Sequence, residues 1–352
     1  MKKKVAVGLS GGIDSSVAAF LLKKQGWDVI GFTLKFYPQE NRCCDLDSLY
    51  QAQRLCHKLG IAHYVFDVGN IFKKEIISYF INAYLEGLTP NPCAYCNKLI
   101  KFGLFFQKIR SLGVEYLATG HYANISYWRG SYFFKRGRDP KKSQEYFLSL
   151  VNPDNLKYLI FPLGRYKKNT VKQIAKKEKI MFKERRESQD ACFINNIDYP
   201  EFIENNLTVY DEYSGNIRHI NGKILGRHKG IYYYTYGQRS GLGVSWEKPL
   251  YVIDIDRKTK EVIVAEKELL KKDTFRVSRL NWFILKPKRL SNLKGLTVKV
   301  RYNSIAVPCI LKFLEEEVTV MLKGKADSIA PGQIAAFYYK DLLLGGGIIS
   351  DN

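Results

Sequence analysis

Two kinds of residue in this chain of 352 could do chemistry. The first is the run Gly8-Leu9-Ser10-Gly11-Gly12-Ile13-Asp14-Ser15-Ser16. Its glycines let the backbone approach phosphate oxygens, and Ser10, Ser15 and Ser16 add hydroxyl donors. A helix starting directly after such a turn adds unpaired N–H groups and the positive end of its dipole, so polyanion binding is the chemistry this run supports. The bland alternative is an ordinary helix cap. The Lys-Ser or Lys-Thr pair that follows the last glycine of a nucleoside-triphosphate P-loop is absent, which argues against kinase or motor chemistry. The second kind is cysteine: seven residues, an odd number without framework spacing, read as reduced thiols with individual roles rather than disulfides. Cys93 and Cys96 lie in Asn91-Pro92-Cys93-Ala94-Tyr95-Cys96-Asn97-Lys98, and Cys192 in Glu187-Ser188-Gln189-Asp190-Ala191-Cys192-Phe193-Ile194. Adjacent Cys43 and Cys44 cannot easily chelate one metal, and Cys56 and Cys309 fall on apolar faces and read as core.

The elements that must position these groups are legible from periodicity. Lys4–Leu9, Asp28–Phe36, His63–Val68 and Tyr116–Thr119 read as strands, alternating with helices at Asp14–Gln25, Asp45–Leu59, Ile71–Leu85 and Ile100–Leu112. Such alternation implies right-handed crossovers and an α/β fold with a doubly wound parallel sheet, whose ligands sit at the carboxyl ends of the strands. The glycine-rich run stands at such an end.

From about Leu250 the pattern changes to short strands and turns. Leu250–Ile255 and Glu261–Ala265 flank a hairpin turn, and strands follow at Leu296–Tyr302, Val307–Phe313, Glu317–Leu322, Ile334–Tyr339 and Leu342–Ile349, predicting a small C-terminal β-barrel. The expected division is a catalytic domain over 1–204, a central linking domain over 205–247 and the barrel over 248–352. The run Tyr232-Tyr233-Tyr234-Thr235-Tyr236 suits either a base-stacking platform or the two faces of a strand.

Lys and Arg outnumber Asp and Glu by 56 to 34, a formal +22, which suggests a polyanionic partner. Lysine-rich composition alone is the competing explanation. Basic residues crowd at Lys167, Lys168, Lys172, Lys176, Lys177, Lys179, Lys183, Arg185 and Arg186. No apolar run approaches the ~20 residues that span a bilayer, and Met1-Lys2-Lys3-Lys4 leads into a strand rather than a signal core, so a cytoplasmic location without membrane contact is expected.

The order Ser-Gly-Gly-x-Asp-Ser at 10–15 resembles the PP-loop of the ATP pyrophosphatase superfamily. Together with the two cysteine segments, Ala118-Thr119-Gly120-His121-Tyr122-Ala123 and Gly226-Arg227-His228-Lys229-Gly230…Tyr236-Gly237-Gln238-Arg239, it resembles the bacterial tRNA-specific 2-thiouridylases, the MnmA family. The resemblance runs in order from Val5 to about Tyr339. It implies a sulfurtransferase that binds ATP at Gly8, Leu9, Ser10, Gly11, Gly12, Ile13, Asp14, Ser15, Leu34 and Gly120, with Mg2+ screening the phosphates. ATP would adenylate O2 of the wobble uridine. A persulfide on Cys192 would then attack C2, with Cys96 as the partner thiol, leaving a Cys96–Cys192 disulfide and 2-thiouridine. Lys98 and Lys101 are sequence-local cations that could favour the thiolates. Asn91, Pro92, Cys93, His121, Lys142, Ser143, Gln144, Arg301, Tyr302 and Gln333 match tRNA-facing positions. The implied partners are tRNAs reading Lys, Glu and Gln codons, and a sulfur-relay protein or cysteine desulfurase.

Two departures from the family pattern stand out. Cys93 occupies a position where the family often has Asp, so a [4Fe-4S] cluster on Cys93, Cys96 and Cys192 is an alternative to persulfide relay, while three obvious ligands are too few for a structural zinc site. The segment Lys142-Ser143-Gln144-Glu145-Tyr146-Phe147-Leu148 stands where the family usually reads Lys-Asp-Gln-Ser-Tyr-Phe-Leu. Two other function classes compete: a PP-loop ligase acting on a small metabolite, which leaves the cysteines and charge unexplained, and a nonenzymatic RNA-binding protein, against which the intact loop argues.

Overall fold

The structure, a computed structural model, describes residues 3–36, 46–180, 191–194, 197–207, 213–327 and 329–350. Cys43, Cys44, the 187–190 part of the second cysteine motif, and Lys183, Arg185 and Arg186 lie outside these residues. Five strands form the first sheet: β1 (Lys4–Gly8), β2 (Asp28–Lys35), β3 (His63–Asp67), β4 (Tyr116–Ala118) and a short strand, Leu159–Ile160. All pair in parallel, with β1 between β2 and β4. A central parallel strand is buried on both faces, which is why β1 reads as an unbroken apolar run. Its alternate residues face two cores: Val5 and Val7 pack with Val17, Leu21 and Leu22 of α1 (Ile13–Lys24), while Ala6 belongs with Phe72, Ile76, Ile100 and Phe105. Helices therefore cover both faces, as the doubly wound reading required. The strand order reverses at β1, so a crevice opens beyond the ends of β1 and β4.

A hairpin the sequence reading did not include follows β4. Strands β5 (Ala123–Trp128) and β6 (Ser131–Arg136) are joined through Arg129 and Gly130, whose φ values of 48° and 82° give the two-residue turn that suits strand twist. Arg-Gly between alternating residues was the available signal. β6 then pairs with the last strand of the chain (Leu342↔Lys135, Leu343↔Phe134), stitching the C-terminal barrel to the first domain.

The hairpin of Leu250–Asp256 and Glu261–Glu266 does not open the barrel, contrary to the expected boundary at 247/248. Glu261–Glu266 pairs in parallel with Gly215–His219, which pairs in turn with Ile224–His228. Val252, Val262 and Val264 share a core with Ile217 and Leu242. A hairpin turn is a local signal and does not say which sheet receives the hairpin; here the apolar face of Ile217 and Leu242 does. The central unit therefore extends to Glu266. The barrel comprises Lys272–Trp282, Leu296–Lys299, Val307–Phe313, Val318–Ala326, Ile334–Tyr339 and Leu342–Ile349, and pairing of the first with the last closes it. Lys272–Trp282 escaped sequence reading because its charged and apolar residues alternate irregularly.

Candidate active site

β1 ends at Gly8, the chain turns through Leu9–Gly12, and α1 begins at Ile13 with Gly12 as an extended N-cap that supplies no side-chain bond. The serines brace this turn. Ser10 N–H donates to Ser15 Oγ at 3.1 Å, and the Ser15 and Ser16 hydroxyls donate to the Gly12 carbonyl at 3.1 and 2.9 Å. These two hydroxyls, expected as phosphate donors, are thus engaged by the loop itself. Gly120, just past β4, fits only as glycine: a Cβ there would lie 2.7 Å from Ser15 N and 2.8 Å from the Asp14 carbonyl carbon. Gly11 has φ of 71°, and the Ser48 backbone fills the space a side chain would need. The result is a backbone-lined cradle at a helix N-terminus, a fit for a polyphosphate.

Asp14, in the first turn of α1, is held from two directions. The Tyr122 hydroxyl donates to Oδ1 at 2.7 Å, and Lys168 Nζ bonds Oδ1 and Oδ2 at 2.8 and 2.6 Å. Sequence reading missed both partners. Lys168 counted only as one of a basic cluster, yet it is the first residue of the Lys168–Lys177 helix, which the short fifth strand returns to the crevice. Leu34, the penultimate residue of β2, is buried in the core. His121 follows Gly120, with Nδ1 2.7 Å from Thr119 Oγ1 and its ring against Phe102 and Phe161. Loss of solvation, with Lys101 repelling a second positive charge, pushes its pKa down to about 3, so the imidazole is neutral near pH 7. Lys101, a candidate partner of the thiols, is also a charge that acts on His121.

The cysteine helix begins at Pro92, eight residues before the expected start at Ile100. Asn91 caps it by accepting from Ala94 N–H at 3.1 Å, and Pro92 sits at the first position, where a missing N–H costs nothing. Wide π-type turns over Asn97–Leu104 follow, and helix resumes at Phe105–Ser111. Cys93 is exposed and Cys96 is buried. The barrel steadies this start: Thr89 N–H donates to Pro331 O at 2.8 Å, Gln333 Nε2 donates to Pro90 O at 3.3 Å, and Arg279 donates to the Tyr95 hydroxyl at 3.1 Å. Gln333 is therefore beside the cysteine helix, engaged with its leading backbone.

Cys192 is half-buried, and its neighbour Phe193 packs edge-on against Phe80 and Phe72. Cys96 and Phe193 belong to the same core, against which Cys192 packs. The five described cysteines form no disulfide. Burial pushes the Cys56 thiol up to about 11 and that of Cys309 up to about 12, so both stay protonated at neutral pH, as core residues. Among the described residues, no three His, Cys, Asp or Glu side chains gather as ligands of a metal would. Cys93, Cys96 and Cys192 as placed do not make the ligand set a cluster requires.

On the side facing the barrel, Ser143 Oγ accepts from Gly137 N–H at 2.7 Å and donates to the buried Glu145 carboxylate, which also accepts from the Tyr338 hydroxyl at 3.2 Å. Gln144 exchanges two bonds with Tyr122: its Oε1 accepts from Tyr122 N–H and its N–H donates to Tyr122 O, each at 2.9 Å. Arg301 donates to Tyr236 O at 2.8 Å, and the Tyr302 ring lies 4.6 Å from that of Phe147. Beside the crevice, between this loop and the barrel, lies a groove of about 980 Å³ lined by Ser143 and Tyr302. Lys135, Arg136, Arg138, Lys141, Arg165 and Lys299 also line it, against the carboxylates of Glu145 and Asp341. The tyrosine run is neither platform nor strand. Tyr232, Tyr234 and Tyr236 are buried, and Tyr232 and Tyr233 donate to Glu204 from a single 3-10 turn.

Comparison with known proteins places this geometry. Family models described as the tRNA methyl transferase HUP domain, the tRNA methyl transferase PRC-barrel domain and the Aminomethyltransferase beta-barrel domain match residues 3–196, 200–266 and 272–349 in turn. The tRNA-specific 2-thiouridylase MnmA of Aquifex aeolicus is 42% identical over 360 residues, covering 99% of each chain. The chain belongs to the tRNA-specific 2-thiouridylase family. That of Clostridium acetobutylicum is 41% identical over 357 residues, covering 99% of this chain and all of its own. The junctions between the matched segments of this 2-thiouridylase-family chain, at 196/200 and 266/272, agree with the sheet grouping, including placement of the 250–266 hairpin in the central unit. Among the described residues no helix is long and apolar enough to cross a membrane.

Proposed function

We propose that this chain is a tRNA-uridine 2-sulfurtransferase that uses ATP to activate O2 of a wobble uridine and replaces that oxygen with sulfur carried on Cys192. The observation that carries the reading is the crevice at the strand-order reversal. A glycine cradle, a carboxylate held by Lys168, and His121 meet there beside a cationic groove able to take an RNA backbone. In this reading the cradle would bind the triphosphate, Asp14 would hold the divalent cation, and Lys168 would offset phosphate charge. ATP supplies an AMP leaving group on the uridine O2. The terminal sulfur of the Cys192 persulfide then bonds C2 as AMP departs. Attack of the Cys96 thiolate on Cys192 Sγ breaks the S–S bond, leaving sulfur on the base and a Cys96–Cys192 disulfide. A thiol reductant must reopen that disulfide, and a relay protein or desulfurase must reload Cys192. Asn91, Pro92, Cys93, Lys142, Ser143, Gln144, Arg301, Tyr302 and Gln333 are the proposed RNA-side positions, and tRNAs for Lys, Glu and Gln the proposed substrates.

The test is release of AMP and pyrophosphate from ATP with and without unmodified tRNA. This reading expects stimulation by tRNA and none by free amino acids. Stimulation by an amino acid instead would support a small-metabolite ligase, and release of ADP would overturn the proposed cleavage.

A further inference from the structure

A set of contacts absent from the chemistry above joins the two ligand regions into one loop. The Asp14 carboxylate accepts from the Tyr122 hydroxyl at 2.7 Å. Both backbone groups of Tyr122 bond Gln144, so residue 144 cannot shift without pulling on the strand end that carries Tyr122. Two residues before Gln144, Lys142 N–H donates to Asp139 O at 3.1 Å. The Asp139 carboxylate accepts from Lys141 N–H at 3.1 Å through one oxygen and from Lys168 N–H at 3.0 Å through the other. It therefore sits at the N-terminus of the Lys168–Lys177 helix, where a negative charge is favoured. Lys168 Nζ then returns to Asp14 at 2.6 Å, closing the circuit.

We infer that Tyr122 and Asp139 are positioning residues that couple occupation of the RNA-side loop, 137–144, to the nucleotide-side carboxylate Asp14. The inference rests on the two-ligand reading of this crevice. One link of the circuit differs from the others: the Lys168 ammonium faces a carboxylate, and a polyphosphate in the adjacent cradle competes for it. Whatever fixes the 137–144 loop also fixes Asp139 and Gln144, and through them the Lys168 backbone and the Tyr122 hydroxyl. RNA bound at the loop has then already met the ordering cost that nucleotide binding would otherwise bear, which gives positive coupling. Linkage requires the same factor in the reverse direction.

The experiment is calorimetric titration of the full chain with a non-hydrolysable ATP analogue, with and without a saturating unmodified anticodon stem-loop RNA. In the unsubstituted protein the RNA is expected to tighten analogue binding about tenfold, within the usual range for coupled sites. Tyr122→Phe keeps the buried ring and removes only the hydroxyl; Asp139→Ala cuts the other arm independently, so either serves if the other fails to fold. Each is expected to reduce the factor to about threefold, and the pair to abolish it, with melting temperatures showing both variants folded. A general loss of stability would weaken both ligands without changing their coupling. Full coupling in the double variant, or none in the unsubstituted protein, overturns the inference while leaving the proposed function standing. An RNA that does not bind at all overturns both.

Discussion

At the residue scale, the chemistry divides between groups the sequence displays and groups only the fold can supply. The glycine turn and the two cysteine segments are legible because their spacing is local. Tyr122 and Lys168 are not, since they reach Asp14 from 108 and 154 residues away and neither has a local signature. Lys168→Met is expected to weaken nucleotide binding ~10-fold or more, the usual worth of a charge-assisted contact, and titration with an ATP analogue reads it. Unchanged affinity would remove Lys168 from the nucleotide site. Cys192→Ser should abolish thiolation yet leave tRNA affinity within about twofold; equal loss of both by filter binding would make Cys192 structural. His121 adds a pH signature. Its folded pKa lies near 3, below the unfolded value of about 6.5, so the unfolded chain binds the extra proton first. Stability should therefore fall as pH drops from about 6.5 toward 3, by less than the full ~1.4 kcal/mol per pH unit because the ring is only half-buried. His121→Gln should flatten that part of a denaturation-midpoint profile; an unaltered profile would count against an imidazole held neutral in the fold.

At the element scale, the nucleotide cradle depends on how closely β4 approaches α1. Gly120→Ala places a methyl group against backbone atoms of Asp14 and Ser15, which cannot swing aside as a side chain would. A destabilisation of about 1–3 kcal/mol is expected, with loss of analogue binding beyond that of a surface Gly→Ala control. Wild-type affinity in the variant would mean the two elements separate freely. The strands and helices of the first domain were readable because the parallel sheet's buried runs and the helical periodicity leave strong marks. The cysteine helix starts eight residues before the apolar periodicity at Ile100 becomes visible, and its start signal is Asn91 as cap before Pro92 at the first turn. The β5–β6 hairpin and Lys272–Trp282 are harder to read: the first offers only an Arg-Gly turn and the second an irregular alternation, and the pairing of both β6 and Lys272–Trp282 with the last strand of the chain is a contact no local pattern carries.

At the scale of the molecule, the barrel does more than bring charge. Through β6 it is continuous with the first domain, and through Pro331, Gln333 and Arg279 it braces the start of the cysteine helix, so the RNA proposed for the groove would touch the same units that hold the thiols and the cradle. The formal +22 was readable, but its focus on a groove with six cations was not, because Lys135 and Lys299 meet only in the fold. Binding of tRNA should be steeply salt-dependent, weakening at least tenfold between about 50 and about 200 mM salt. Arg138→Ala with Arg165→Ala should flatten that slope; a salt-insensitive affinity would deny the groove a phosphate-binding role. The proposed thiolation is tested most directly by nucleoside analysis of unmodified tRNA after incubation with the protein, ATP and a persulfide donor. The expected product is 2-thiouridine at the wobble position, formed one-for-one with AMP and pyrophosphate and absent with Cys192→Ser. Unmodified tRNA after full ATP consumption, or 2-thiouridine made equally well by Cys192→Ser, would contradict it.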